Sequence, residues 1–217
     1  MASSSRDASS DLPDDRLQSL AHTMSPDERD AVLSAYVGER GNRRHKPGRA
    51  FERTGYRFDV LCDYGAFRDL QRHRLLTLEW QRLSPEHGFD TPDVIADAGM
   101  TEEWNRVMED SAATWATLSE HAGEDVAQYS VAMAYRIRFV MQMSAREAMH
   151  LIELRSSPQG HPTYRRVAQQ MHDLIEKNAG HRAIARTMTY LDTSDVDLER
   201  LEAERRAEAK RRAARAG

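Results

Sequence analysis

Three groups of residues in this chain could do chemistry. The tripeptide Arg72-His73-Arg74 sets two guanidiniums around an imidazole. Planar guanidinium forks can grip a diphosphate bidentately while the imidazole meets a planar heterocycle. The same tripeptide also reads as the basic end of a helix interacting with its dipole. In the segment Ser144-Ala-Arg146-Glu147-Ala-Met-His150-Leu-Ile-Glu153-Leu-Arg155, helical spacing puts Arg146, His150 and Glu153 along one face. A fixed cation, a switchable imidazole and a carboxylate then converge on whatever lies beside that face. Glu147-x-x-His150 is half of the carboxylate-bridged di-iron pattern of helical bundles, but the chain has no second Glu-x-x-His and no metal is expected. The third group is residues 39–57, where Arg40, Arg43, Arg44, Lys46, Arg49, Arg53 and Arg57 outnumber Glu39 and Glu52 to give +5. It reads as a solvated charged loop or as a phosphate-binding one. Phe51 and Tyr56 sit at a spacing that suits core rather than base stacking, which disfavours nucleic acid. Dinucleotide, P-loop, nucleophile-elbow and paired-cysteine motifs are missing from the chain, and its nine histidines are scattered.

Holding these groups in place requires a framework that the hydrophobic periodicity outlines. Ser25-Pro26-Asp27-Glu28 is a capping box with proline at the first helical position, and Ala31, Val32, Leu33, Tyr36 and Val37 form the stripe of a helix ending near Gly38. Residues 56–61 alternate apolar with polar, the period of a half-buried strand, and residues 64–74 read as a helix. Thr101, Glu102 and Glu103 open a long helix whose Trp104, Val107, Met108, Ala112, Trp115 and Leu118 predict a core stripe. Residues 134–143 alternate again, with Tyr135, Ile137, Phe139, Met141 and Met143 on one face and Arg136 and Arg138 on the other. Ser144 caps a helix to about Arg155, and a further helix from about Thr163 carries Tyr164, Val167, Ala168, Met171, Leu174 and Ile175 inward. The expected organisation is a disordered tail over 1–11, one domain over 12–192, and a charged helix over 193–217 with pairs such as Glu202–Arg206 and Glu208–Arg212.

The chain has 217 residues, 40% of them hydrophobic, and a formal net charge of −4, which excludes a polycation built to coat nucleic acid. Subtracting the basic segment leaves −9 on the remainder, so any anion site is local. Cys62 stands alone and cannot form an intrachain disulfide, which fits a reducing cytosol. Neither a signal-peptide core nor a run of roughly 18 apolar residues is found, so the chain is expected to be cytoplasmic with no membrane partner.

Taken together, the two signatures resemble those of the flavin-dependent thymidylate synthases. The R-H-R motif matches at residues 72–74, and the strand and helix at 134–155 end in Leu154-Arg155 as the family's second signature does. The resemblance covers roughly residues 45–180. It implies an α+β fold, a small mixed or antiparallel sheet packed with long helices, assembled as a homotetramer. It also implies FAD as cofactor, NADPH as reductant, and methyl transfer from methylenetetrahydrofolate to dUMP or a related pyrimidine nucleotide. Carried onto this chain, Arg72, His73, Arg74, Ser144, Arg146 and His150 would hold the flavin, and Arg155 would act catalytically on the pyrimidine. The nucleotide side departs from the pattern. After seven intervening residues Arg82 replaces the motif serine, Trp80 stands at the acid position beside Glu79, Gln128 replaces a phosphate-binding arginine, and His161 stands where many members have glutamine. Arg82, Gln128 and His161 are therefore the candidate substrate-side residues. Two other readings follow: a non-catalytic flavin-binding or structural member, such as half of a duplicated protein, and an anion- or nucleic-acid-binding module using loop 39–57.

Overall fold

A computed structural model describes residues 11–194 together with 205, 206, 208, 209 and 212. Most of the tail expected over 1–11, and most of the charged helix expected after residue 193, lie outside the described residues. Glu208 and Arg212 do form an ion pair, at 2.6 Å. The chain divides into two compact units, Met1–Phe58 with Gln142–Gly217, and Asp59–Met141.

A three-stranded antiparallel sheet runs in the order β1 (Gly55–Asp63), β3 (Arg136–Ser144), β2 (Leu76–Trp80). The alternation in β1 and β3 emerges as expected. Tyr56, Phe58 and Cys62 on one strand, and Ile137, Phe139, Met141 and Met143 on the other, are buried, whereas Arg57, Asp59, Arg138 and Gln142 are exposed. Across the solvent face Arg138 grips the Asp59 carboxylate, its closest contact at 2.7 Å. Strand β2 is not among the elements expected from the sequence, although Leu76, Leu78 and Trp80 alternate with Thr77 and Glu79. It is a five-residue edge strand whose stripe is short and shallow, with Leu76 and Leu78 half-buried and Thr77, Glu79 and Trp80 exposed.

Within the first unit, α1 (Asp14–Thr23) precedes α2 (Pro26–Val37). The capping box is complete: the Ser25 hydroxyl accepts from the Glu28 amide, and the Glu28 carboxylate accepts from the Ser25 amide at 2.8 Å. Gly38, at φ +65°, ends the helix in a conformation that only glycine adopts freely. A 3₁₀ turn, Arg49–Glu52, buries Phe51, whose ring stacks on Tyr36. Gly48 approaches so closely that a Cβ there would lie 2.1 Å from the Tyr36 hydroxyl.

The Asp59–Met141 unit holds α3 (Tyr64–Leu70), α4 (Asp93–Asp97), α5 (Thr101–Ala122) and α6 (Glu124–Ala127). Asp63 caps α3 by accepting from the Ala66 amide at 2.7 Å. This helix ends at Leu70, short of the expected 74, so Arg72-His73-Arg74 lies just past its last turn. On α5 the stripe is narrower than predicted. Met108 is buried with Val131 and Tyr135, and Trp104, Ala112 and Trp115 pack on that cluster, but Val107 is 61% exposed. The indole Nε1 atoms of Trp104 and Trp115 are buried without a hydrogen-bond partner among the described residues. No helix among the described residues is long and apolar enough to cross a membrane.

Candidate functional site

The signature segment of the first unit folds as α7 (Ala145–Arg155), followed by α8 (Pro162–Asp173) and α9 (Arg182–Arg186). Ser144 is the N-cap of α7: its hydroxyl accepts from the Glu147 amide at 3.3 Å, meeting a donor that has no partner inside the helix. Arg146 is held locally, donating to the Pro47 carbonyl at 2.9 Å and to Glu52 at 3.2 Å. His150 is half-buried. Beyond α8 a π-helical turn, Leu174–Asn178, changes the register, and Leu174 is 44% exposed although its spacing placed it inward with Ile175.

The C-terminal end of α7 is held by several buried contacts. Glu153 is buried and opposed by Arg40, with contacts of 2.5 and 2.6 Å to its two oxygens. Arg40 also donates to the carbonyls of Thr187, His45 and Arg43, so all five of its N–H bonds are used. One cation of the supposed solvated loop is therefore a buried structural residue. Next to Glu153 in space, Tyr190 gives its amide to the carboxylate at 3.2 Å and its hydroxyl to the Arg40 carbonyl at 2.7 Å. Arg155 is half-buried, its guanidinium 5.5 Å from the centroid of the Tyr164 ring. Arg165 is buried and donates to the Ser156 carbonyl at 3.0 Å, to Asp192 at 3.3 Å and to the Ser194 hydroxyl at 3.0 Å. The Ser194 hydroxyl is thus engaged by Arg165 and also donates to Asp192. His161 is exposed and caps α8 through the Thr163 amide.

Arg72, His73 and Arg74 belong to the other unit. Arg72 is 70% exposed at the side chain and 3.7 Å from Asp69, Arg74 is exposed, and His73 is buried. Two accessible guanidiniums flanking a fixed imidazole are a donor set that suits a diphosphate. Arg82 and Gln128 come together on the segment that follows β2. Arg82 pairs with Glu124 at 2.8 Å and Asp125 at 3.1 Å, while the Gln128 side chain accepts from the Leu83 amide at 3.0 Å. Both side chains serve to fasten residues 82–83 to the turn containing α6. Burial pushes the Cys62 thiol up to about 12, with Asp63 adding to the effect, so it is no nucleophile.

The sequence pattern does not single out Arg40, Arg165, Tyr190 or Asp192. Arg40 is one cation of a run, and Arg165 lies next to Arg166 on α8 with nothing local to separate the buried residue from the exposed one.

Comparison with known proteins gives a consistent set of matches. A family model described as "Thymidylate synthase complementing protein" matches residues 8–179. The chain is 40% identical over 188 residues to the UPF0159 protein Ta1429 of Thermoplasma acidophilum, which covers 86% of this chain and 37% of that protein. It is 40% identical over 178 residues to a UPF0159 protein of Chlamydia pneumoniae, covering 82% and 33% respectively. A UPF0159 protein of Chlamydia muridarum is 38% identical over 179 residues, again 82% and 33%. The chain spans about a third of the length of the curated relatives it matches.

Proposed function

We infer the activity from the family: the chain belongs to the thymidylate synthase complementing protein family, the flavin-dependent thymidylate synthases. We propose that it takes part in FAD-dependent methyl transfer from methylenetetrahydrofolate to dUMP or a related pyrimidine nucleotide, with NADPH as reductant. The observation that carries this reading is the pair of signatures inside the matched region, Arg72-His73-Arg74 with its two exposed guanidiniums and the capped helix α7 ending in Leu154-Arg155. FAD when bound supplies the hydride chemistry. The residues of this chain have separate tasks. Arg72 and Arg74 hold the diphosphate, His73 meets the ring system, and Arg155 holds the pyrimidine and stabilises charge as it develops there. In this reading the protein is cytoplasmic and assembles as a homotetramer.

The test is spectroscopic. Purified protein titrated with FAD should show quenched flavin fluorescence and absorbance near 450 nm, and the reduced flavin should reoxidise when dUMP and methylenetetrahydrofolate are added together. Protein that leaves FAD fluorescence unchanged would refute the reading.

A second reading, a non-catalytic member that forms part of a longer protein, draws on two observations. The chain spans only about a third of its curated relatives, and Arg82 and Gln128 are committed to contacts within their own unit. Flavin binding without reoxidation by any pyrimidine nucleotide would favour it. The reading of loop 39–57 as an anion-binding module loses Arg40 to Glu153, and Arg49 sits 3.1 Å from Glu52. A salt-dependent gel shift with nucleic acid would revive it.

A further inference from the structure

We propose that Asp192 is a positioning residue for Arg155, acting through Arg165 and the Ser156 carbonyl, and that residues 187–194 form a strap that sets the end of α7. The proposal rests on the reading that Arg155 meets the pyrimidine.

Four observations within the first unit carry it. Ser156, immediately after Arg155, is fixed at three atoms: its amide donates to the Ile152 carbonyl at 2.9 Å, its hydroxyl accepts from the Asp192 amide at 3.1 Å, and its carbonyl accepts from Arg165 at 3.0 Å. A carbonyl at a helix C-terminus has no partner in the helix, so Arg165 supplies what the helix cannot. Glu153, on the other side of Arg155, is fixed by Arg40 and by the Tyr190 amide, and Arg40 in turn holds the Thr187 carbonyl. The strap therefore touches the residue on either side of the Leu154-Arg155 pair. The Arg155 guanidinium itself lies over Tyr164, whose ring has no room to shift toward the loop, since a Cβ on Gly160 would come within 2.6 Å of it.

Asp192 connects these pieces. Its amide reaches Ser156 directly, and its carboxylate accepts from Arg165 while also taking the Ser194 amide at 2.9 Å. Arg165 has a side chain only 1% exposed, so its charge is out of water and its orientation follows its hydrogen-bond partners. Removing the carboxylate takes away one partner of the Arg165 fork and, at the same time, the acceptor that fixes the Ser194 hydroxyl on which the fork also rests. The Ser156 carbonyl then loses a charge-assisted partner, and the last turn of α7 that carries Arg155 loosens. Misplacing a group that acts on developing charge lowers turnover more than it lowers cofactor affinity.

The experiment uses the full chain labelled with 3-fluorotyrosine, with the Tyr164 resonance assigned by Tyr164→Phe and its response to an absent guanidinium calibrated by Arg155→Ala. Asp192→Ala should move the Tyr164 resonance toward its position in Arg155→Ala. It should also lower kcat for nucleotide-dependent flavin reoxidation about tenfold or more, leaving the FAD titration unchanged. Asp192→Asn, which keeps an acceptor at the same place, should recover part of both effects and serves if the alanine variant does not fold. A lowered melting temperature with an unmoved Tyr164 resonance and unchanged kcat would overturn the proposal. If the resonance moves but the unsubstituted protein shows no nucleotide-dependent reoxidation, the positioning role stands and the proposed reaction falls.

Discussion

Arg40 and Glu153 show how a charged residue can be structural in a segment that looks solvated. Both side chains are at most 4% exposed, so neither charge is hydrated, and each depends on the other. Breaking a buried pair from one side strands the second charge, which costs about 3–5 kcal/mol, whereas replacing both partners with apolar residues is often nearly neutral. Urea unfolding should therefore show Glu153→Gln destabilised by about that amount, with most of it recovered in the double variant Arg40→Met, Glu153→Leu. Cys62 gives a pH prediction. Its thiol ionises near 9 in an unfolded chain but only at about 12 in the buried site, so the folded form keeps its proton where the unfolded form has lost it. This linkage lowers stability as pH rises from about 9 toward 12 and has no effect below that range. At pH 8 the native protein should react with a thiol-directed disulfide reagent only as fast as it unfolds, which rates measured with and without urea will check.

At the scale of elements, α2 is closed by a capping box at one end and a left-handed glycine at the other. Ser25→Ala should cost about 1 kcal/mol in chemical denaturation, the usual worth of an N-cap side chain. The Glu28 carboxyl is held below its ordinary value by hydrogen bonds from Ser25, so this support is present above the ordinary carboxylate range and is lost on acidification through the lowered value. Gly48→Ala should destabilise by about 1–3 kcal/mol, because the added methyl collides with the Tyr36 hydroxyl that accepts from the Ala50 amide. These elements were readable from sequence because their signals are local: a box within four residues, a proline at the first turn, an alternation running the length of β3. Strand β2 is harder to read, since the alternation of Leu76, Leu78 and Trp80 spans only five residues at an edge and buries none of them fully. The π-helical turn after α8 was silent, and it rotated Leu174 out of the face its spacing assigned. The site was half legible for the same reason. Motif residues announced themselves, but the Arg165–Asp192 contact joins positions 27 apart with no shared pattern, and only folding brings them together.

For the molecule as a whole, the net charge of −4 conceals its own distribution. Of the +5 segment, Arg40 is withdrawn into the unit on Glu153, whereas Arg49 stays exposed beside Glu52, a carboxylate that Arg146 of α7 also reaches. A polyanion would meet a surface patch one cation short of its sequence count, on a chain that is acidic elsewhere, so heparin affinity should be weak and should vanish by moderate salt, checked by elution position. Leu61, Leu75, Trp80, Val107 and Tyr129, all between 47% and 93% exposed, fall in the Asp59–Met141 unit. Sedimentation at micromolar concentration should accordingly show species heavier than the 24.8 kDa monomer.

All three tryptophans, Trp80 on β2 and Trp104 and Trp115 on α5, also belong to the Asp59–Met141 unit. Intrinsic tryptophan emission is therefore an optical reporter of one unit and is blind to α7, α8 and the strap. Circular dichroism reports on both. If the two signals melt together, the units unfold as one cooperative block, and if they separate, the order of the two transitions identifies which unit gives way first.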